Sequence, residues 1–168
     1  MQTPYSQNTY TAPSSVLPPA YDTEKVIKQL NDLIETCKDG EYGFEACAEQ
    51  AQSPQLKAML TTRAQGCRRA AEELQSCVLD LGGKPDTDGS VAGAIHRGWV
   101  AVRSKLSTLT DRAVLDECER GEDVALKAYR ETLAGELPPD IRSLVERQAE
   151  GAKRNHDEVK ALRNSLPR

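Results

Sequence analysis

Apolar residues recur every three or four positions along four long stretches of this chain, at about 23–50, 54–81, 111–134 and 138–165. This spacing places the apolar residues on one face of an α-helix, so each stretch predicts a long amphipathic helix. Such a helix has to bury its apolar face against other helices. The sequence therefore predicts an all-α four-helix bundle.

The connections between the helices decide how the bundle is wound. Ser53-Pro54 and Pro138-Pro139 mark helix starts after short turns, and short turns make antiparallel neighbours. The middle connection, 82–110, is long and carries a shorter helical pattern, SVAGAIHRGWVAVRSKL. A connection of that length can run along the whole bundle, which makes the second and third long helices parallel, as in ferritin-like bundles. The alternative is an ordinary up-and-down bundle with a decorated loop.

Charge and hydropathy exclude several classes of function. The chain has 22 basic and 26 acidic residues and a net charge of −4, which does not favour nucleic-acid binding. No apolar run reaches the roughly 18 residues that suggest a membrane span. The first residues lack the basic and apolar segments of a secretory signal. We therefore expect a cytoplasmic protein that binds neither nucleic acid nor a membrane.

The chain divides into a tail and one domain. Residues 1–21 contain four prolines, no charged residue and no periodic apolar pattern. This composition predicts a flexible tail, followed by the bundle over residues 22–168.

The five cysteines do not predict a disulfide framework. Their number is odd, no two of them form a CxxC motif, and the chain lacks an export signal. We expect packed, reduced thiols. Cys37 and Cys67 fall at similar heights on neighbouring helices, which leaves a redox pair as the alternative.

Four polar residues interrupt the apolar faces at one height of the bundle. Glu41, Arg63, Glu122 and His156 each lie in or beside the apolar stripe of a different helix. With the crossover topology and a rise of ~1.5 Å per residue, they lie roughly 24–27 Å from one end of the bundle. This predicts a buried layer in which the two carboxylates pair with Arg63 and a protonated His156.

A metal site is the second interpretation of this layer. Glu41, Glu122 and His156, with Glu45 nearby, offer carboxylate and imidazole ligands that suit iron, manganese or zinc. Di-metal carboxylate bundles use a Glu-x-x-His motif on each of two helices. The sequence has neither motif, and the cation of Arg63 would repel a metal. A self-paired layer without a cofactor is therefore the leading interpretation.

The middle connection contains a second candidate cluster. His96, Arg97 and Trp99 lie together in the sequence, with Gly93 and Gly98 allowing close approach. The leading interpretation is that the tryptophan docks the crossover helix onto the bundle. A small anion site or partner site is the alternative, although the glycines do not match a phosphate-binding loop.

Three segments carry a resemblance to a known family: LNDLIETCKDGEYGF (30–44), GGKPDTDGSVAGAIHRGW (82–99) and ERGEDVALKAYRETL (119–133). They resemble an uncharacterised bacterial ferritin-like family, a domain of unknown function found mainly in proteobacteria, over about residues 23–165. The resemblance implies a ferritin-like four-helix bundle with a short extra helix in the crossover, and no established reaction. The missing Glu-x-x-His pair argues against ferroxidase or peroxidase activity.

The function expected from the sequence is that of a non-catalytic bundle, a stress-related protein or interaction module with a self-paired polar layer. The alternative is a metal-binding or redox protein that uses the same residues. The sequence does not favour an enzyme, and it leaves open a protein partner or a homodimer.

Overall fold

The structure is a computed structural model that describes residues 20–86 and 110–167 of the chain. These residues form four helices: α1 (Thr23–Gln50), α2 (Pro54–Asp80), α3 (Asp111–Leu133) and α4 (Pro139–Ser165). Each of the four predicted long helices is confirmed, with ends that agree within one residue. The predicted crossover helix and most of the predicted tail lie outside the described residues.

Local capping explains where the helices begin. The side chains of Asp22, Ser53 and Thr110 accept hydrogen bonds from backbone N–H groups in the first turns of α1, α2 and α3. Pro139 opens α4, where its missing N–H has no helical partner to lose. Gly82 follows the end of α2 with a φ of 77°, a left-handed conformation that favours glycine.

Contacts between α1 and α3 establish the directions of the helices. At the end of α1, the Asp111 carboxylate accepts hydrogen bonds from the N–H groups of Gln52 and Ser53, at 2.7 and 3.0 Å. Further down the bundle, the Cys37 thiol lies 3.5 Å from the Tyr129 hydroxyl. Helices α1 and α3 are therefore antiparallel, and a tight turn makes α1 and α2 antiparallel as well. Since α2 and α3 are parallel, the end of α2 and the start of α3 lie at opposite ends of the bundle, which confirms the ferritin-like topology.

The apolar core is divided into two clusters. The lower cluster lies near the start of α1, and the upper cluster lies near its end. Fully buried members of the lower cluster are Leu30, Leu33, Leu74 and Val145. Fully buried members of the upper cluster are Leu60, Leu115 and Val159. Small and polar residues occupy the inner faces between the clusters. Within the described ranges, no helix has the length and apolar character of a membrane span.

Candidate functional site

A cavity of about 480 Å³ lies between the two core clusters. Small-molecule pockets have volumes of roughly 300–1,000 Å³. All four helices contribute to the wall, and the smallest of the wall residues are Gly40, Gly43, Gly66, Ala70, Gly121, Ala125, Gly151 and Ala152. Because these residues have little or no side chain, they cannot fill the centre of the bundle at this height.

A hydrogen-bond network lines the lower part of the cavity. The Tyr129 hydroxyl donates to Gln148 Oε1 at 3.2 Å, and Gln148 Nε2 donates to the Glu73 carboxylate at 2.8 Å. The same amide nitrogen lies 3.2 Å from the Ala70 carbonyl oxygen. This network ties α2, α3 and α4 together and satisfies the polar groups that it contains.

Four of the five cysteines lie on the cavity wall. Burial raises the pKa of Cys37 to about 11 and that of Cys67 to about 12. A hydrogen bond with the Cys47 thiol, together with burial, raises the pKa of Cys118 well above its usual value. Thiols with such pKa values stay protonated at neutral pH and are poor nucleophiles. All five cysteines are free, and this arrangement favours packed thiols over a redox pair.

Glu122 faces the cavity from α3 and is only 5% exposed. Within the described part of the chain, neither carboxyl oxygen of Glu122 has a hydrogen-bond partner. Burial raises the pKa of Glu122 to about 8, although the nearby Arg63 guanidinium acts in the opposite direction. The carboxyl group is therefore mostly protonated at neutral pH and can donate a hydrogen bond into the cavity.

The expected self-paired layer is not formed. Arg63 pairs with Glu158 at 2.5 Å and makes no hydrogen bond to Glu122. Glu41 pairs instead with Arg68, an exposed residue of α2. Long side chains at the edge of an apolar stripe can reach outward to solvent-facing partners, here Glu158 and Arg68.

The residues predicted as metal ligands are not brought together in one site. These residues are Glu41, Glu45, Glu122 and His156. Glu45 lies 3.4 Å from Arg68, and His156 Nε2 lies 3.1 Å from an Asp123 carboxylate oxygen. In residues 20–86 and 110–167, no three His, Cys, Asp or Glu side chains form a group that could hold a metal ion. A guanidinium near Glu122 and separate partners for Glu45 and His156 do not fit a di-metal carboxylate centre, whose ligands have to converge on one point.

The exposed side chains of the cavity wall come from α2 and α4, which indicates an opening between these two helices. These exposed side chains are all arginines: Arg69, Arg147 and Arg154. A methyl group added to Gly66 would lie 3.9 Å from an Arg69 guanidinium nitrogen, and one added to Gly151 would lie 3.8 Å from Arg154. Each of these two guanidinium groups therefore lies close to a glycine of its own helix.

Two ion pairs bracket this opening. Arg63 pairs with Glu158 above it, and Arg147 pairs with Glu73 below it at 3.1 Å. Along α2, the ten residues from Arg63 to Glu73 rise about 15 Å. We call the opening between these two ion pairs the α2–α4 window.

The residues of the α2–α4 window were not among the site residues predicted from the sequence. A signal was present, because GCRR at 66–69 and GAKR at 151–154 share the order glycine, small residue, basic residue, arginine. A glycine inside a helix is less favourable than alanine by about 1 kcal/mol, so both glycines need a structural reason. The structural reason is that both glycines line the α2–α4 window. This can be seen only when α2 and α4 are placed side by side.

The crossover residues His96, Arg97 and Trp99 lie outside the described residues. Their predicted role in docking the crossover helix stays a prediction.

Solved structures with a similar fold are ferritin-like proteins. The dodecameric, bacterioferritin-related thioferritin of Bacteroides fragilis is 14% identical, with a TM-score of 0.68 over 84% of this chain and 85% of that chain. A Dps protein of Mycobacterium smegmatis is 17% identical, with a TM-score of 0.69 over 88% and 93%. The Dps protein of Vibrio cholerae O1 is 16% identical, with a TM-score of 0.67 over 83% and 89%. At these identities the likeness establishes the fold alone.

Family membership rests on the sequence. No curated protein matches this chain. A family model described as "Domain of unknown function (DUF2383)" matches residues 25–135, which is more than half of the chain. The match confirms the resemblance noted in the sequence, and the chain belongs to this family of ferritin-like four-helix bundles.

Proposed function

We propose that this protein is a non-catalytic binding protein that holds a small, mainly apolar molecule between its two core clusters. The observation that carries the proposal is the cavity of about 480 Å³ at mid-height of the bundle. Apolar surface that is removed from water stabilises a bound state by about 25 cal/mol per Å². A guest that fills the cavity would therefore stabilise the bundle.

The protonation states of the thiols and the carboxyl group on the cavity wall favour ligand binding over catalysis. The thiols of Cys37 and Cys67 have raised pKa values, and the carboxyl group of Glu122 is neutral near pH 7. His156 faces Asp123 instead of a cysteine of the cavity. The thiols and the carboxyl group of Glu122 present polarisable, uncharged groups to a guest. They do not form an activated nucleophile.

The test uses octanol as an uncharged apolar probe. Octanol should raise the melting temperature of the wild-type protein, because a ligand that binds only the folded state stabilises it. Ala152→Leu places a larger side chain in the cavity and should abolish this shift. Cavity-filling substitutions commonly stabilise by about 0.5–2 kcal/mol, so the variant should also melt higher without octanol.

Ala161→Leu is the matched control, since Ala161 is exposed on the same helix and does not line the cavity. The control should keep the octanol shift. Ala125→Leu, on α3, serves as a second filling variant if Ala152→Leu does not fold. An octanol shift that survives both filling variants would rule out the cavity as the binding site.

Retention of a metal ion by the purified protein would support the alternative function considered from the sequence, that of a metal-binding or redox protein. The protein would be incubated with ferrous iron, manganese or zinc and then desalted. Near-stoichiometric metal in the wild type that is lost in Glu122→Gln would replace the binding proposal with a metal-binding function.

We further propose that the protein is cytoplasmic and forms a homo-oligomer. Self-association is consistent with the fold, since the Bacteroides fragilis thioferritin is dodecameric. Light scattering of the purified protein measures its mass in solution, and a monomer at all concentrations would contradict the proposed oligomer.

A further inference from the structure

The α2–α4 window carries charges that select what can enter the cavity. We propose that the cavity binds a small organic anion whose charged group is held by Arg69 and Arg154, while its apolar body lies among the small residues of the wall. We call Arg69 and Arg154 the window arginines. This inference rests on the proposed binding function and adds the chemical class of the ligand.

Within the described residues neither window arginine forms an ion pair, although the charge of Arg69 acts on the nearby Glu73. Arg147, the third arginine of the wall, already pairs with Glu73. Glu117, another carboxyl-bearing residue of the wall, pairs with Arg120 at 2.8 Å. Within the described ranges, no carboxylate lies at ion-pair distance from either window arginine. The entrance therefore has two positive charges available for an anion.

The register of α2 against α4 brings the window arginines to one opening. Because Arg63 pairs with Glu158 and Glu73 pairs with Arg147, residues of the two antiparallel helices face each other when their numbers sum to about 220. Arg69 then faces the stretch around Gly151, and Arg154 faces the stretch around Gly66. The Cα atoms of the window arginines then differ in height by roughly 4.5 Å, and both residues line the same opening.

Glu122 adds a recognition element inside the cavity. It is 5% exposed, lines the wall, and has no hydrogen-bond partner in the described part of the chain. A purely hydrocarbon guest would leave this buried carboxyl unpaired. A guest whose body carries a neutral oxygen, such as a ketone, would accept its hydrogen bond. We therefore expect the ligand to be an apolar acid with such an oxygen at its inner end.

The first test compares three probes with one chain length, namely octanoate, octanol and octylamine, by titration calorimetry. Wild-type protein should bind octanoate about tenfold or more tightly than octanol, and octylamine most weakly. The double variant Arg69→Gln/Arg154→Gln should lose about tenfold in octanoate affinity and keep its octanol affinity, since charge-assisted hydrogen bonds are the strong ones.

The matched control is Lys57→Gln/Lys160→Gln, which removes the same charge from exposed positions of the same two helices that do not line the cavity. The control should bind octanoate as the wild type does. An equal loss in both double variants would show only general surface attraction and would overturn the inference. Equal affinities for octanoate and octanol would overturn it too, but would leave the binding function intact. Failure of all three probes would contradict both proposals.

The second test addresses Glu122 with a keto-substituted octanoate whose carbonyl lies at the far end from the carboxylate. The wild type should bind the keto acid about fivefold more tightly than octanoate. Glu122→Gln keeps a hydrogen-bond donor and should keep this preference, whereas Glu122→Met should lose it. Equal binding of the two acids by wild type, or an unchanged preference in Glu122→Met, would remove Glu122 from the proposed site.

Discussion

At the scale of single residues, the carboxyl group of Glu122 links the stability of this protein to pH. Its pKa is about 8 in the folded protein, against an ordinary value of 4.5. Because the folded state holds the proton more tightly, the resulting stabilisation is fully present below about pH 4.5 and is lost as the pH rises through about 8. The charged groups that act on this carboxyl come from α2, α3 and α4: Arg63, Glu119, Asp123 and Glu158.

Replacing Glu122 with glutamine should remove this pH dependence. Between about pH 5 and pH 8, the free energy of unfolding of the wild type should fall more than that of Glu122→Gln, by roughly 1–3 kcal/mol, the usual effect of an unsatisfied buried polar group. Urea denaturation at each pH measures the difference. Burial also raises the pKa of Asp39, to about 6, which makes stability fall with rising pH in the same way. Because both proteins contain Asp39, its contribution cancels in the difference between them. Parallel pH profiles for the two proteins would contradict this account.

Because Glu122 does not pair with Arg63, the expected effect of substituting Glu122 changes as well. The layer predicted from the sequence paired Glu122 with Arg63, but Arg63 pairs with Glu158 and keeps this partner when Glu122 is replaced. Substitution of Glu122 should therefore not strand a buried cation.

At the scale of the elements, α1 and α2 lie close together at Gly40. A methyl group added there would lie 2.9 Å from the Cys67 sulfur, which is closer than such contacts allow. Gly40→Ala should destabilise the protein by about 1–3 kcal/mol, because overpacking forces neighbouring atoms to shift. The same substitution in a Cys67→Ala background should be much less harmful, since the sulfur is gone.

Thermal or urea denaturation of the four proteins in this cycle measures the coupling between Gly40 and Cys67. Gly121→Ala is the control, because nothing lies within 4 Å of the added methyl group and alanine favours helix. An identical effect of Gly40→Ala with and without Cys67 would show that the sulfur does not limit the approach.

The elements were predictable from the sequence, and the pairing of their side chains was not. The starts of α1, α2 and α3 agree with the sequence because their caps are local: Asp22, Ser53 and Thr110 each bond to a backbone group three residues ahead. The partners of Arg63 and Glu41 depend on which way a long side chain leaves its helix. Residue numbers and a rise per residue do not contain that information.

At the scale of the whole molecule, the ferritin-like winding was predictable because only a long connection allows α2 and α3 to be parallel. The cavity was not, since it depends on how closely four helices meet at one height. Glycine or alanine on a single helix is compatible with a tightly packed bundle. Only when small residues of all four helices coincide at mid-height, as Gly40, Gly66, Ala125 and Gly151 do, is the centre left unfilled.

The crossover has a kinetic consequence. Helices α1 and α2 form one hairpin of local contacts, and α3 and α4 form a second, so each can assemble quickly on its own. The cavity exists only after the two hairpins have docked, because its wall takes residues from both. A guest therefore stabilises the docked, folded state and not the separate hairpins that form before it. Bound octanol should therefore slow unfolding in stopped-flow measurements and leave the folding rate nearly unchanged, so that occupancy of the cavity sets the lifetime of the folded protein.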